Sequence, residues 1–223
     1  MRHLHKIGFH KESIVQKKIF GVGFSKTGTS SLARALSILG YRTVHNPTDD
    51  ETTISLLAGN LNCTAIRDND AICDIMFCRH FRELDRLYPG SIFILTERDR
   101  DGWHASCTRH WASRTIRNTA LHNEELVDFQ VYGTALYRRD LFDDAYNAHY
   151  AAVLSYFERR PSQLLRMNIC AGDGWGILCS HLSINVPSVR FPWVRPEPWS
   201  PSVQTGVSRS HATMPIERSL IGH

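Results

Sequence analysis

Residues 17–40 read KKIFGVGFSKTGTSSLARALSILG. Ile19, Phe20 and Val22 form a short apolar run ending in glycine, the pattern of a buried strand. Gly23 to Ser31 then gathers two glycines, one lysine and several hydroxyls into nine positions. Leu32, Ala35, Leu36 and Leu39 follow at helical spacing, and Gly40 is a C-terminal stop. Strand, glycine-rich turn and helix in that order make an anion site. The first N–H groups of a helix lack intrahelical partners, and the helix dipole adds positive potential where they point. Glycine lets the backbone approach the anion, Lys26 adds a full charge, and Thr29, Ser30 and Ser31 can donate further hydrogen bonds.

Two familiar phosphate loops do not fit. The nucleotide P-loop, G-x-x-x-x-G-K-[ST], wants lysine directly after its second glycine. Gly23 and Gly28 have the right separation, but Thr29 holds the lysine position and Lys26 precedes the second glycine. The dinucleotide fingerprint G-x-G-x-x-G fails because Lys26 stands where its third glycine belongs. GFSKTGTSSLARAL instead resembles the loop with which sulfotransferases hold the 5′-phosphosulfate of PAPS (3′-phosphoadenosine 5′-phosphosulfate), of the order [SP]-K-[TA]-G-[TS]-[ST]-S-L. Ser25 takes a position usually held by proline. The resemblance implies cosubstrate contacts from Ser25, Lys26, Thr27, Gly28, Thr29, Ser30 and Ser31, with Lys26 also catalytic at the bridging oxygen or sulfuryl group.

A second stretch supports the first. Ile92-Phe93-Ile94-Leu95 is a solid apolar run of the parallel-sheet type, and it feeds Thr96-Glu97-Arg98. In sulfotransferases an arginine just past a strand is followed eight residues later by a serine on the next helix. Arg98 and Ser106 reproduce that spacing, which implies a 3′-phosphate grip by a forked guanidinium and a hydroxyl. Taken alone, Arg98 would more readily pair with Asp99 or Asp101. Glu97 is a candidate magnesium ligand, but its neighbour Arg98 is a poor companion for a metal, so no metal is expected.

Between the two stretches, Tyr41–Val44 reads as a second strand, residues 48–60 as a short helix, and Cys63–Ile66 as a third strand. A helix carrying Ile72, Ile75, Met76, Leu84 and Leu87 would follow. Residues 121–160 read as helical, Ser162–Met167 as a last strand, and Ile177–Leu182 as a short helix. The run from His149 to Val194 resembles the distal half of compact microbial-type sulfotransferases, which end in G-W-x-x-L-C-x-F-L…P-x-x-x-F-P. The resemblance covers about residues 17–195. It implies an α/β fold, a three-layer sandwich with a central, mostly parallel sheet of the P-loop NTPase-like sulfotransferase type.

Sulfuryl transfer needs a base near the acceptor. His45, Asp68, Asp70 and Asp74 all fall near expected strand ends or the following helix start. Asp70 to Ile75 resembles a D-x-x-x-D-x-P segment of similar proteins, with Met76 in place of proline. Asp74 ranks first as catalytic base and His45 second; a helix cap and a turn residue are their ordinary alternatives. Tyr132, Tyr137 and Phe142 wall the acceptor site or belong to the core.

Bulk properties suit one soluble domain. The chain has 223 residues, 42% hydrophobic and 22% charged, with net charge +4. That mild basicity fits an anionic cosubstrate and is too weak and scattered for nucleic acid. Six cysteines without a C-x-x-C pair suggest free thiols in a reducing compartment. No window suits a membrane span or a signal peptide, so a cytoplasmic protein is expected. Residues 1–16 are expected to be a flexible N-terminus, 17–195 a sulfotransferase domain, and 196–223 a disordered tail. The acceptor, small molecule, glycan or lipid, is not legible. Two rivals stand beside the PAPS reading: a P-loop kinase or nucleotidase with an atypical loop, and a catalytically silent nucleotide-binding module.

Overall fold

The computed structural model describes residues 17–47, 49–112 and 123–194; the expected flexible N-terminus and disordered tail lie outside them. Five parallel strands form one sheet in the order β2-β3-β1-β4-β5, with β1 Ile19–Gly21, β2 Thr43–Val44, β3 Ala71–Cys73, β4 Ile92–Thr96 and β5 Leu164–Met167. Each strand points alternate side chains to opposite faces, and the sequence exploits this to bury both. Ile19, Ala71, Cys73, Ile94, Leu165 and Met167 face one layer. It contains α1 (Thr29–Ile38), through Leu32, Ala35 and Leu36, and α9 (Trp175–Leu182). Phe20, Ile72, Phe93 and Leu95 face the other layer.

That second layer holds α2 (Asp50–Leu57), α3 (Thr64–Arg67), α4 (Ile75–Cys78), α5 (Phe81–Leu87), α6 (Arg100–Trp111), α7 (Asn123–Tyr132) and α8 (Arg139–Phe157). Its core is aromatic: Phe93 lies between Phe20 and Phe157, with ring centroids 5.4 and 4.8 Å away. The architecture is therefore the expected α/β sandwich with a parallel sheet.

One strand was misplaced by the sequence reading. Cys63–Ile66 is not a strand: Thr64–Arg67 is the one-turn helix α3, and Ala71–Cys73 is β3, which pairs with both β1 and β2. The cause is local competition. The Glu51 carboxylate accepts from the Thr64 N–H and pairs with Arg67, closing the turn. Ala-Ile-Cys is too short to stand out between Asp70 and Asp74, yet all three residues are fully buried. Ile72 is accordingly a strand residue, and the helix expected after it is broken into α4 and α5.

Candidate functional site

The carboxyl ends of parallel strands border the ligand crevice in an open α/β sheet, and the candidate residues divide by that rule. Past β1, Lys26 adopts a left-handed conformation at φ 71° and Gly28 another at φ 105°. A non-glycine residue held there costs about 1–2 kcal/mol, and strain of this kind gathers at ligand sites. Left-handed turns of the backbone aim successive N–H groups into one concavity suited to an anion. No side chain caps α1 and no acidic residue occupies its first turn, so the N–H groups of residues 29–31 face the loop.

Several contacts brace this loop. A Cβ on Gly23 would stand 2.6 Å from the carbonyl oxygen of Thr96, so only glycine lets β1 leave the sheet against β4. The Thr27 hydroxyl donates to the Phe24 carbonyl (2.6 Å) and accepts from the Thr96 hydroxyl (2.6 Å), and it is fully buried. Thr27 thus braces the loop by its side chain. Trp103 Nε1 donates to the Ser25 carbonyl (2.9 Å), and the Tyr150 hydroxyl donates to the Thr96 carbonyl (2.6 Å) and accepts from the Phe24 N–H (3.3 Å). His149 donates from Nε2 to the Val22 carbonyl at 2.8 Å, and burial pushes its pKa down to about 4. Sequence reasoning missed Tyr150, His149 and Trp103 as supports. Their spacing on α8 and α6 reads only as helical core.

Past β4, Arg98 Nη1 donates to the Lys26 carbonyl at 3.1 Å, locking the strained residue. Its Nε–H is buried and has no partner. Asp99 instead caps α6 by accepting from the Gly102 N–H (2.6 Å), and Asp101 pairs with Arg139 (3.6 Å). The surface pairing available to Arg98 in sequence is therefore not formed. A buried donor left unpaired costs about 1–3 kcal/mol, a cost that an acceptor bound there would remove. Ser106 is buried on α6. The thiol of Cys107 beside it is pushed up to about 12 by burial, against the pull of Lys26 and Arg98, which puts this turn of α6 in the field of both cations. Glu97, the candidate magnesium ligand, is gripped through both carboxylate oxygens by Arg166 at 2.6 and 3.0 Å.

Past β2 and β3 lie His45 and Asp74. His45 Nε2 is 3.3 Å from the hydroxyls of both Thr29 and Ser30. Burial lowers its pKa; Asp74 opposes that shift and Lys26 adds to it. The Asp74 carboxylate is buried, accepting from the Met76 N–H (3.0 Å) as the cap of α4 and from the Asn46 N–H (2.8 Å). It ties the end of β3 to the residue following His45.

Asp68 and Asp70 belong elsewhere. With β3 at Ala71–Cys73 they precede the strand, at the opposite edge of the sheet. Asp70 pairs there with the Arg42 guanidinium at 2.9 and 3.0 Å, which holds its carboxyl down at about 2. Their expected proximity to the loop rested on the misplaced strand. Tyr132 and Phe142 are core, stacked on each other with centroids 3.9 Å apart.

The Ser31 hydroxyl, also in the expected set, is buried and accepts from the Val194 N–H at 3.0 Å. The loop, Arg98 and the His45–Asp74 pair thus converge at one edge of the sheet, an arrangement able to hold an anion with a proton acceptor beside it. No curated protein matches the chain. The family model for the sulfotransferase domain matches residues 18–198, which include the loop, Arg98, Ser106, His45 and Asp74, and the chain belongs to that family.

Proposed function

We propose that the chain moves a sulfuryl group from PAPS to a hydroxyl or amine acceptor by in-line displacement. The observation that carries this reading is the buried, unpartnered Nε–H of Arg98 beside the Lys26–Gly28 concavity. A 5′-phosphate at the loop and a 3′-phosphate at Arg98 use both sites at once. When bound, PAPS supplies the sulfuryl group and an adenosine bisphosphate leaving group. The N–H groups of residues 28–31 cradle the 5′-phosphate, with the hydroxyls of Thr29 and Ser30 beside them. Lys26 neutralises charge growing on the bridging oxygen, an electrostatic role that counts most where charge develops. Arg98, with Ser106, grips the 3′-phosphate through charge-assisted hydrogen bonds.

His45 is the base in this reading, ahead of Asp74. Its depressed pKa keeps the imidazole neutral near pH 7, ready to accept a proton. Both oxygens of Asp74 already accept backbone N–H groups, so its role is to hold the β2 turn and to favour the imidazolium once it forms. The acceptor is a small molecule, glycan or lipid. The six cysteines are free thiols, which supports a reducing, cytoplasmic setting. The kinase reading is weaker because Glu97, the acidic residue at the end of β4, is occupied by Arg166. The deciding experiment is calorimetric titration with adenosine 3′,5′-bisphosphate, beside ATP and GTP with and without Mg²⁺. Selective, metal-independent binding of the bisphosphate is expected; preference for a triphosphate with Mg²⁺ would replace this reading with a kinase.

A further inference from the structure

The order β2-β3-β1-β4-β5 sets His45 and Asp74 on one side of the glycine-rich loop and Arg98 on the other. On the His45 side, in the helical layer over the sheet, a cavity of about 370 Å³ opens between α2, α4, α5 and α7. Small-molecule sites measure about 300–1,000 Å³, so this one suits a compact ligand. The loop, Arg98, His45 and Asp74 do not line it, and the cosubstrate contacts leave it unused.

Its place in the chain ties it to the base. Asp74 accepts from the Met76 N–H through one carboxylate oxygen (3.0 Å) and from the Asn46 N–H through the other (2.8 Å). One carboxylate thus stands between the residue after His45 and Met76, which lines the cavity. α2 supplies another wall, and it is the helix that follows His45, capped by Asp49. The segments that leave β2 and β3 therefore converge on the same space.

The lining has two parts. Leu56, Leu57, Met76, Val127 and Val131 make an apolar wall. A sugar would leave its hydroxyls without partners there, at a cost for each; a hydrocarbon ring gains from burial instead. Arg79 and His80 come one turn further along the chain from Asp74 than Met76. The Arg79 guanidinium donates to the Gln130 carbonyl, and no carboxylate pairs with it among the described residues. Glu83, the nearby acid, is paired with Arg86 at 3.3 Å. Burial lowers the His80 pKa, so that imidazole is neutral near pH 7 and Arg79 is left as the charge at this end. A guanidinium so placed is matched by a carboxylate.

We propose that this cavity is the acceptor site, and that the acceptor is a compact aromatic or alicyclic alcohol carrying a carboxylate. Its hydroxyl lies at His45, its ring system against the apolar wall and its carboxylate at Arg79. This rests on the PAPS reading above and narrows the acceptor within it. In the transfer, the acceptor oxygen bonds to sulfur as the bond from sulfur to the bridging oxygen of PAPS breaks. The hydroxyl proton passes to the His45 imidazole, and adenosine 3′,5′-bisphosphate leaves.

Three probes and two variants test it. 6-Hydroxy-2-naphthoate and 2-naphthol share a fused ring and differ in the carboxylate; methyl glucoside stands for a sugar. Sulfuryl transfer from PAPS to each is followed by mass spectrometry, and binding of the two naphthols by their own fluorescence. Hydroxynaphthoate should be the best acceptor, 2-naphthol weaker and methyl glucoside inert. Arg79→Gln keeps a donor for the Gln130 carbonyl and removes the charge. It should raise KM for hydroxynaphthoate about ten-fold or more and leave kcat, and KM for 2-naphthol, unchanged. Leu57→Trp fills the cavity from its half-buried rim and should raise KM for both naphthols. Calorimetric binding of adenosine 3′,5′-bisphosphate should be the same in both variants as in the wild type, a check that fold and cosubstrate site are intact. Transfer to methyl glucoside as fast as to hydroxynaphthoate, or an unchanged KM for hydroxynaphthoate in either variant, would overturn the cavity as acceptor site and leave the cosubstrate reading standing. So would a wild type that binds the bisphosphate and neither naphthol. A wild type that fails to bind the bisphosphate would overturn both.

Discussion

Acid should loosen the glycine-rich loop through a buried histidine packed behind it. His149 on α8 is stacked on Phe24, centroids 4.7 Å apart and planes 14° apart, and donates to the carbonyl of Val22, the residue before Gly23. Burial is the main reason its pKa falls from an ordinary 6.5 to about 4, with the Val22 bond pulling the other way and Arg79 and Arg82 adding small repulsions. Above pH 6.5 the imidazole is neutral in both folded and unfolded chains and contributes no pH dependence. Below it the unfolded chain takes up a proton that the folded chain resists until about pH 4, so stability falls with pH through that window. Linkage puts the loss at about 2 kcal/mol by pH 5 and about 3 kcal/mol by pH 4. His149→Gln keeps an N–H donor for Val22 and removes the titration. It should cost about 1 kcal/mol at pH 7 through poorer stacking, and then exceed the wild type in stability below pH 5. Urea unfolding of both proteins, followed by circular dichroism at several pH values, reads the difference directly. A wild-type-minus-variant difference that stays constant from pH 7 to pH 4.5 would refute the argument.

Gly23→Ala forces a Cβ to within 2.6 Å of the Thr96 carbonyl oxygen; thermal unfolding should report a loss of about 1–3 kcal/mol, and bisphosphate binding should fall with it. Asp74→Ala strips the cap from α4 and frees the Asn46 N–H, costing about 1–2 kcal/mol. With Asp74 in a positioning role, Asp74→Asn should retain far more turnover than His45→Gln, and the reverse ranking would make Asp74 the base. Lys26→Ala should lower turnover much more than affinity for adenosine 3′,5′-bisphosphate; unchanged turnover removes Lys26 from the chemistry. Arg98→Ala should weaken the bisphosphate roughly 10- to 100-fold and adenosine 5′-phosphate by less, since the latter loses only the brace on the Lys26 carbonyl, whereas equal losses would show that Arg98 does not read the 3′-phosphate.

Much of the site is local, and local features are legible in a sequence. The strand, turn and helix over residues 17–40 are contiguous, and their glycines, lysine and hydroxyls announce an anion site without reference to anything distant. Arg98 and Ser106 are eight residues apart around a single strand-to-helix turn, so their spacing also survives in one dimension. The apolar run of β4 declares itself by composition. What depends on contacts between distant segments is not written this way. Ala71–Cys73 is a strand because β1 and β2 flank it, and three apolar residues between two aspartates carry no period of their own. That placement decides which carboxylates reach the crevice: Asp74 follows the strand, while Asp68 and Asp70 precede it at the opposite edge. Tyr150 and His149 brace the loop across 126 and 127 residues of chain. Val194 reaches Ser31 across 163. By itself the sequence determined the glycine-rich loop between β1 and α1, the arginine past β4 and the sandwich class, because short-range geometry specifies them. Strand order decided which acidic residue and which histidine stand beside that loop, since pairing between remote strands sets the edge at which each side chain emerges.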